Sequence, residues 1–120
     1  MASVNIDPAS RLDVTCRRGD TFTLNTNVQD LSGNPLNTTL YTFKMEVRTY
    51  PGSSTVIIPF SSFTYETSAL GVFVVKATAA TMAAVAAGTY AYDVQATDNT
   101  TGVVCTWMYG TFTVNQDITQ

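Results

Sequence analysis

The chain has no histidine, only two cysteines and few charges: Asp, Glu, Lys and Arg together make up 12% of its 120 residues. Each shortage closes off a class of function. Without imidazole there is no histidine-dependent triad, no histidine zinc ligand and no general base whose ordinary pKa lies near neutrality. Two cysteines without histidine do not complete a standard zinc site. Carboxylates stand singly, and no glycine-rich phosphate loop, calcium loop or nucleophile elbow occurs. The expectation is a protein that is not an enzyme and needs no cofactor and no metal. Positive charge is also scarce: Arg11, Arg17, Arg18, Lys44, Arg48 and Lys76 are the whole set, and the net charge is −3. A nucleic-acid binder clusters cations against phosphates, so nucleic acid is not an expected partner. No apolar run approaches the ~18 residues that span a bilayer, and Met1 is not followed by a basic and then apolar leader. A cytoplasmic translation product with no membrane partner is expected.

What the chain does have is apolar content of 45%, enough to bury a core over a single-domain length, and polarity supplied by Thr, Asn, Ser and Gln. Period-two alternation dominates. Phe22, Leu24, Thr26 and Val28 alternate with Thr21, Thr23, Asn25 and Asn27. Tyr41, Phe43, Met45 and Val47 alternate with Thr42, Lys44, Glu46 and Arg48; Tyr90, Tyr92, Val94 and Ala96 alternate with Thr89, Asp93, Gln95 and Thr97. Shorter matches are Leu12-Val14-Cys16 and Phe112-Val114. Such patterns are half-buried antiparallel strands, one face on a core and one toward solvent. Phe22, Leu24, Phe43, Met45, Val47, Tyr90, Tyr92, Val94 and Phe112 are the expected core. Residues 55–60 are strand-like, but Pro59 lacks an N–H and places them at an edge. A short helix is expected over 81–87, with Thr81 as its cap and Gly88 as its stop.

These elements predict an all-β, immunoglobulin-like antiparallel β-sandwich over 1–120, with one short helical turn, an N-terminal arm over about 1–10 and a tail over about 115–120. Tyr90, just after Gly88, is placed to make the corner hydrogen bond that many sandwiches use. The antibody signature is absent, because Cys16 and Cys105 fall near the first and last long strands and Trp107 lies on the last. The two thiols read as free and buried in a reducing compartment. A disulfide closing so long a loop, which the chain-entropy model credits with roughly 4–5 kcal/mol, stays open as the other reading.

Two stretches carry apolar side chains on both faces: Val72 to Val75, and Val103 to Tyr109. Strands of that kind are central or covered by a partner. Aromatics and Met are enriched at interface centres, so Phe73, Val75, Trp107, Met108 and Tyr109 are the candidate interface, with core filling as the competing reading for Trp107. Arg18-Gly19-Asp20 matches an integrin-binding tripeptide but lies where two strands must turn. Asn37-Thr38-Thr39 and Asn99-Thr100-Thr101 match glycosylation acceptors and read as polar loops.

The order of several segments resembles a known family. Arg17-Arg18-Gly19-Asp20-Thr21-Phe22-Thr23-Leu24, Asp30-Leu31-Ser32-Gly33-Asn34-Pro35-Leu36 and Tyr41-Thr42-Phe43-Lys44-Met45-Glu46-Val47-Arg48 are similar to segments of small tailed-bacteriophage virion proteins, in particular the N-terminal domain of the baseplate upper-protein family. Ala87-Gly88-Thr89-Tyr90-Ala91-Tyr92-Asp93-Val94-Gln95, Gly110-Thr111-Phe112-Thr113-Val114 and Asp117-Ile118-Thr119 resemble that domain's closing strands. The resemblance implies a virion structural component, made in the host cytoplasm: a tail or baseplate adaptor, or a capsid decoration. Its partners would be other virion proteins or copies of itself, in a homo-oligomer or symmetric multi-copy assembly. The reading from another class is a carbohydrate-binding or host-adhesion module using exposed aromatics.

Overall fold

A computed structural model describes residues 10–29 and 33–117. Most of the expected arm, the tail beyond Asp117 and Asp30-Leu31-Ser32 of the expected turn lie outside the described residues.

Two sheets form. The larger contains β1 (Ser10–Arg11), β2 (Val14–Arg17), β4 (Tyr41–Arg48), β5 (Val56–Ile58), β8 (Gly88–Asp98) and β9 (Val104–Asn115), and the smaller contains β3 (Phe22–Asn27), β6 (Thr64–Thr67) and β7 (Val72–Ala77). Their orders are β1-β9-β8-β4-β5, with β2 also on β9, and β3-β7-β6. That is the immunoglobulin-like sandwich, with β4, β5, β8 and β9 in the sheet that variable-type domains extend. One feature departs from an all-antiparallel sandwich: β1 and β2 run parallel to β9, with Val14 opposite Phe112 and Cys16 opposite Val114.

Alternation sorts the side chains as expected. Phe22, Phe43, Met45, Val47, Tyr92, Val94 and Phe112 are buried, while Leu24 and Tyr90 are half-buried against the same cluster. No disulfide joins the sheets; aromatic rings do so instead. Phe43 on the larger sheet meets Phe73 on the smaller at 4.1 Å between centroids, and Phe22 meets Phe112 at 5.2 Å. Each such pair contributes about 0.5–1.5 kcal/mol beyond its area burial. The thiols are free, and the register explains why. Cys16 lies beside Val114 and Cys105 is nine residues back along β9, so at ~3.3 Å per strand residue the two are roughly 30 Å apart. That is far beyond bonding reach.

The corner forms as the sequence predicts: the Tyr90 hydroxyl donates to the Ala86 carbonyl at 2.5 Å. The helix just before it is displaced. α1 covers Ala79–Ala83, capped by Thr78, whose hydroxyl accepts from the Thr81 N–H at 3.2 Å. Thr78 wins over Thr81 because helix entry there turns Met82 and Val85 into the core, and Gly88 opens β8 rather than stopping the helix. Strand β5 is an edge, as Pro59 requires, and Pro59 leads into a 3-10 turn over Phe60–Ser62.

Two contacts fix the loops. The fully buried Thr38 hydroxyl lies 2.8 Å from the Ser68 carbonyl and 2.9 Å from that of Val72, and accepts from the Ser68 N–H, tying the approach to β4 onto the β6–β7 turn. In that turn Gly71 has φ +82 and packs so closely that a Cβ would lie 2.6 Å from the Val28 carbonyl. Conformation and space both require glycine there.

Candidate functional site

The five residues expected at an interface do not share a surface. Phe73 and Val75 are 0% exposed and fill the core. This corrects their assignment as interface residues: β7 is the central strand of the smaller sheet, and its core face needs large side chains. On its other face Val74 is buried, flanked by Asn25 of β3 and Glu66 of β6, while Val72 and Lys76 are half-buried.

The apolar run on β9 has a different cause. Val94 is opposite Met108, yet the next residue of β8, Gln95, is opposite Thr106, so Trp107 is the extra residue of a β-bulge. Simple alternation sends Trp107 and Tyr109 one way and Met108 the other. The bulge instead turns both Trp107 and Met108 toward the core. Met108 is buried, and Trp107 stands edge-on to Tyr41 at 4.8 Å and Phe43 at 5.4 Å. Met108 is therefore also corrected to a core residue, and Trp107 closes the core's margin. There it borders a cleft of about 440 Å³ between the sheets, with Leu12, Val28 and Leu36 on its walls. Of the five, Tyr109 alone projects outward, 41% exposed.

Tyr109 belongs to a constellation on the outer face of the larger sheet. Across β4, β8 and β9 the outward row reads Glu46, Asp93, Tyr109, and the next reads Arg48, Ala91, Thr111. The small Ala91 side chain leaves a floor, and the loop after β4 raises Tyr50 beside it, 63% exposed. The result is an open dish of about 340 Å³. Arg48 is braced, its guanidinium 3.3 Å from the Glu46 carboxylate and donating to the Ser53 carbonyl at 2.7 Å. Asp93 accepts no hydrogen bond among the described residues. Burial, and then the neighbouring Glu46 charge, raise its pKa above the usual 3.8, against the pull of Arg48. Sequence alternation already places Glu46, Arg48, Asp93 and Gln95 on outward faces. What it lacks is the register that sets Glu46 against Asp93, and any signal for Tyr50, which lies in a turn.

A second exposed feature is apolar. Leu40, Val103 and Val104 are each more than half exposed at the end of the larger sheet where β4 begins and β8 turns into β9. The backbone there is closely tied, with the Asn99 N–H on the Leu40 carbonyl at 3.0 Å and the Asp98 N–H on that of Val103 at 2.9 Å. The Arg18-Gly19-Asp20 segment is a turn whose Arg18 is engaged internally, donating to the Val85 carbonyl at 3.1 Å and pairing with Asp117 at 3.6 Å. Among the described residues no cluster of three or more Asp, Glu or Cys side chains is arranged to hold a metal ion, and no helix is long and apolar enough to cross a membrane.

No protein-family model and no curated protein matches the chain. Similar solved structures include the NK cell receptor Nkp44, a triggering partner in natural cytotoxicity, at 14% identity and a TM-score of 0.45, over 89% of this chain and 98% of that one. Another is a family 123 glycoside hydrolase from Clostridium perfringens, at 12% identity and a TM-score of 0.41, over 98% of this chain; the chain spans 24% of that enzyme. These likenesses are too distant to bear on activity.

Proposed function

We propose that this chain is a structural component of a tailed-bacteriophage virion, serving as a tail or baseplate adaptor or attachment domain, with capsid decoration as the other position of the same kind. Its work is docking: one rigid sandwich presenting a fixed surface to another virion protein or to a further copy of itself. The family reading comes from the resemblance of its ordered strand-and-turn segments. The observation that carries the docking reading is the exposed Leu40, Val103 and Val104 group in a chain with only 12% charged residues. Exposed apolar side chains at one hydrogen-bonded end of a sheet lose little entropy on association. Weak contacts of this sort become firm when repeated by the symmetry of a particle.

Two measurements test this. Particles purified from a lysate of the encoding phage should contain the chain at a fixed stoichiometry. Val104→Asp with Leu40→Asp should abolish incorporation while leaving the circular dichroism and melting temperature of the free domain unchanged, since both side chains already face solvent. A wild-type chain that is absent from purified particles and associates with none of their isolated components would overturn the reading.

A further inference from the structure

We propose that the dish on the outer face of the larger sheet is a binding site for a neutral carbohydrate, a function separate from docking through the Leu40, Val103 and Val104 group. The dish combines the two things a sugar ring needs. Tyr50 and Tyr109 present aromatic surface at its rim, which packs against the apolar C–H face of a pyranose. Glu46 and Asp93 offer acceptors, and Arg48 offers donors, to the ring's hydroxyls. The Ala91 floor leaves room for a ring to enter edge-first.

Charge selects among ligands. An anionic ligand would meet Asp93 and Glu46. A cation would be drawn to Asp93 but would stand beside the braced Arg48 guanidinium, whose charge lies on the same rim. A neutral polyol uses acceptors and donors together and meets no like charge. The register adds an independent sign that this face is built for something other than stability. Glu46 and Asp93 sit directly opposite on neighbouring strands, an arrangement that destabilises a sheet and that Arg48, paired with Glu46, offsets only in part. Asp93 offers a solvent-open acceptor beside an exposed aromatic, the two kinds of group that a hydroxylated ring uses. Local conflicts of this kind concentrate at functional positions.

The experiment is a titration of the ¹⁵N-labelled full chain with the methyl glycosides of glucose, galactose, N-acetylglucosamine and rhamnose, and separately with polylysine. Saturable, millimolar shifts with at least one glycoside, confined to the amides around Glu46, Arg48, Ala91, Asp93 and Tyr109, are expected. Tyr109→Ala and Asp93→Asn should each weaken that binding by about tenfold. Tyr50→Ala lies in a turn outside the sheet and gives the same test with no strand disturbed. The proposal is overturned if no glycoside gives saturable shifts in the dish, if binding survives the Tyr109→Ala and Asp93→Asn double variant, or if polylysine alone saturates these amides. Failure here leaves particle incorporation untouched, because Leu40, Val103 and Val104 are not among the dish residues.

Discussion

Gly110→Ala examines how the first strand is held to the last. Gly110 lies opposite Tyr92 in the β8–β9 ladder, where β1 gives way to β2 through Leu12 and Asp13. This bend is fastened at several points. The Leu12 N–H donates to the Tyr109 carbonyl at 2.9 Å, the Tyr92 hydroxyl donates to the Leu12 carbonyl, and the Thr111 N–H donates to Asp13 Oδ1 at 3.0 Å. A Cβ on Gly110 would collide with the Leu12 carbonyl oxygen and stand 2.8 Å from Asp13 Oδ1 and 2.9 Å from the Leu12 carbonyl carbon. Backbone cannot swing aside as a side chain can, so the methyl must push the bend off β9. Overpacking of this order costs about 1–3 kcal/mol. Tyr92→Phe removes one hydrogen bond to the same carbonyl, about 0.5–1.5 kcal/mol. Both changes act on the Leu12 carbonyl, so the double variant should lose less than the two separate losses added together. Urea unfolding followed by the fluorescence of Trp107, the sole tryptophan, measures all four proteins, with an unchanged m-value as the check that unfolding remains two-state. A Gly110→Ala loss within ~0.5 kcal/mol of zero, or additivity within ~0.5 kcal/mol, would refute the account of the bend.

Further outcomes follow from single groups. Asp93 has a folded pKa above its unfolded value, so its contribution to stability is full below pH 3.8 and is lost as pH rises through the folded value; Asp93→Asn should therefore raise the melting temperature at neutral pH and lose that advantage in acid, and a neutral-pH decrease would contradict the assignment. Burial, with the Asp20 charge adding to it, pushes the Cys16 thiol up to about 11, so Cys16 should resist alkylation at pH 8 in the native state. Denaturing, non-reducing titration should count both thiols, and a count of zero in monomeric protein would refute the strand register. Thr38→Val leaves the Ser68 N–H without its acceptor and should cost about 1–3 kcal/mol, read as a lower urea midpoint; an unchanged midpoint would show that the β6–β7 turn holds without this hydroxyl.

The sandwich was legible because its strands are mostly half-buried. Each inward position of β4 and, from Tyr90 to Ala96, of β8 is apolar and each outward one is polar or small, so period two alone sorts Phe43 from Lys44 and Tyr92 from Asp93. Tyr90 was legible for a related reason, since the corner is a local feature of a strand start. Three things were not. Strand β6 (Thr64–Thr67) has no apolar alternation strong enough to mark it and exists by pairing with β7. The helix start depended on which of two threonines, Thr78 or Thr81, let Met82 reach the core. The bulge at Trp107 is a property of two strands together: nothing in Thr106-Trp107-Met108-Tyr109 read alone says that one residue will be skipped. Missing that skip is what made β9 look apolar on both faces and placed Met108 at an interface.

The two sheets place their outward charges differently. On the smaller sheet, Glu66 and Lys76 of neighbouring strands pair at 3.4 Å, opposite charges across a ladder, as a merely solvated face would have them. On the larger sheet the register sets Glu46 against Asp93, with Arg48 pairing Glu46 at 3.3 Å along its own strand, and Tyr50 and Tyr109 stand exposed beside them. Both arrangements belong to one chain with few charges to place, so scarcity does not account for the difference. Exchanging Asp93 for Asn would remove the repulsion from Glu46 at no loss to the core, since its side chain points away from Val94 and Tyr92. Keeping a carboxylate at Asp93 costs stability at neutral pH and supplies the acceptor that the proposed carbohydrate site uses.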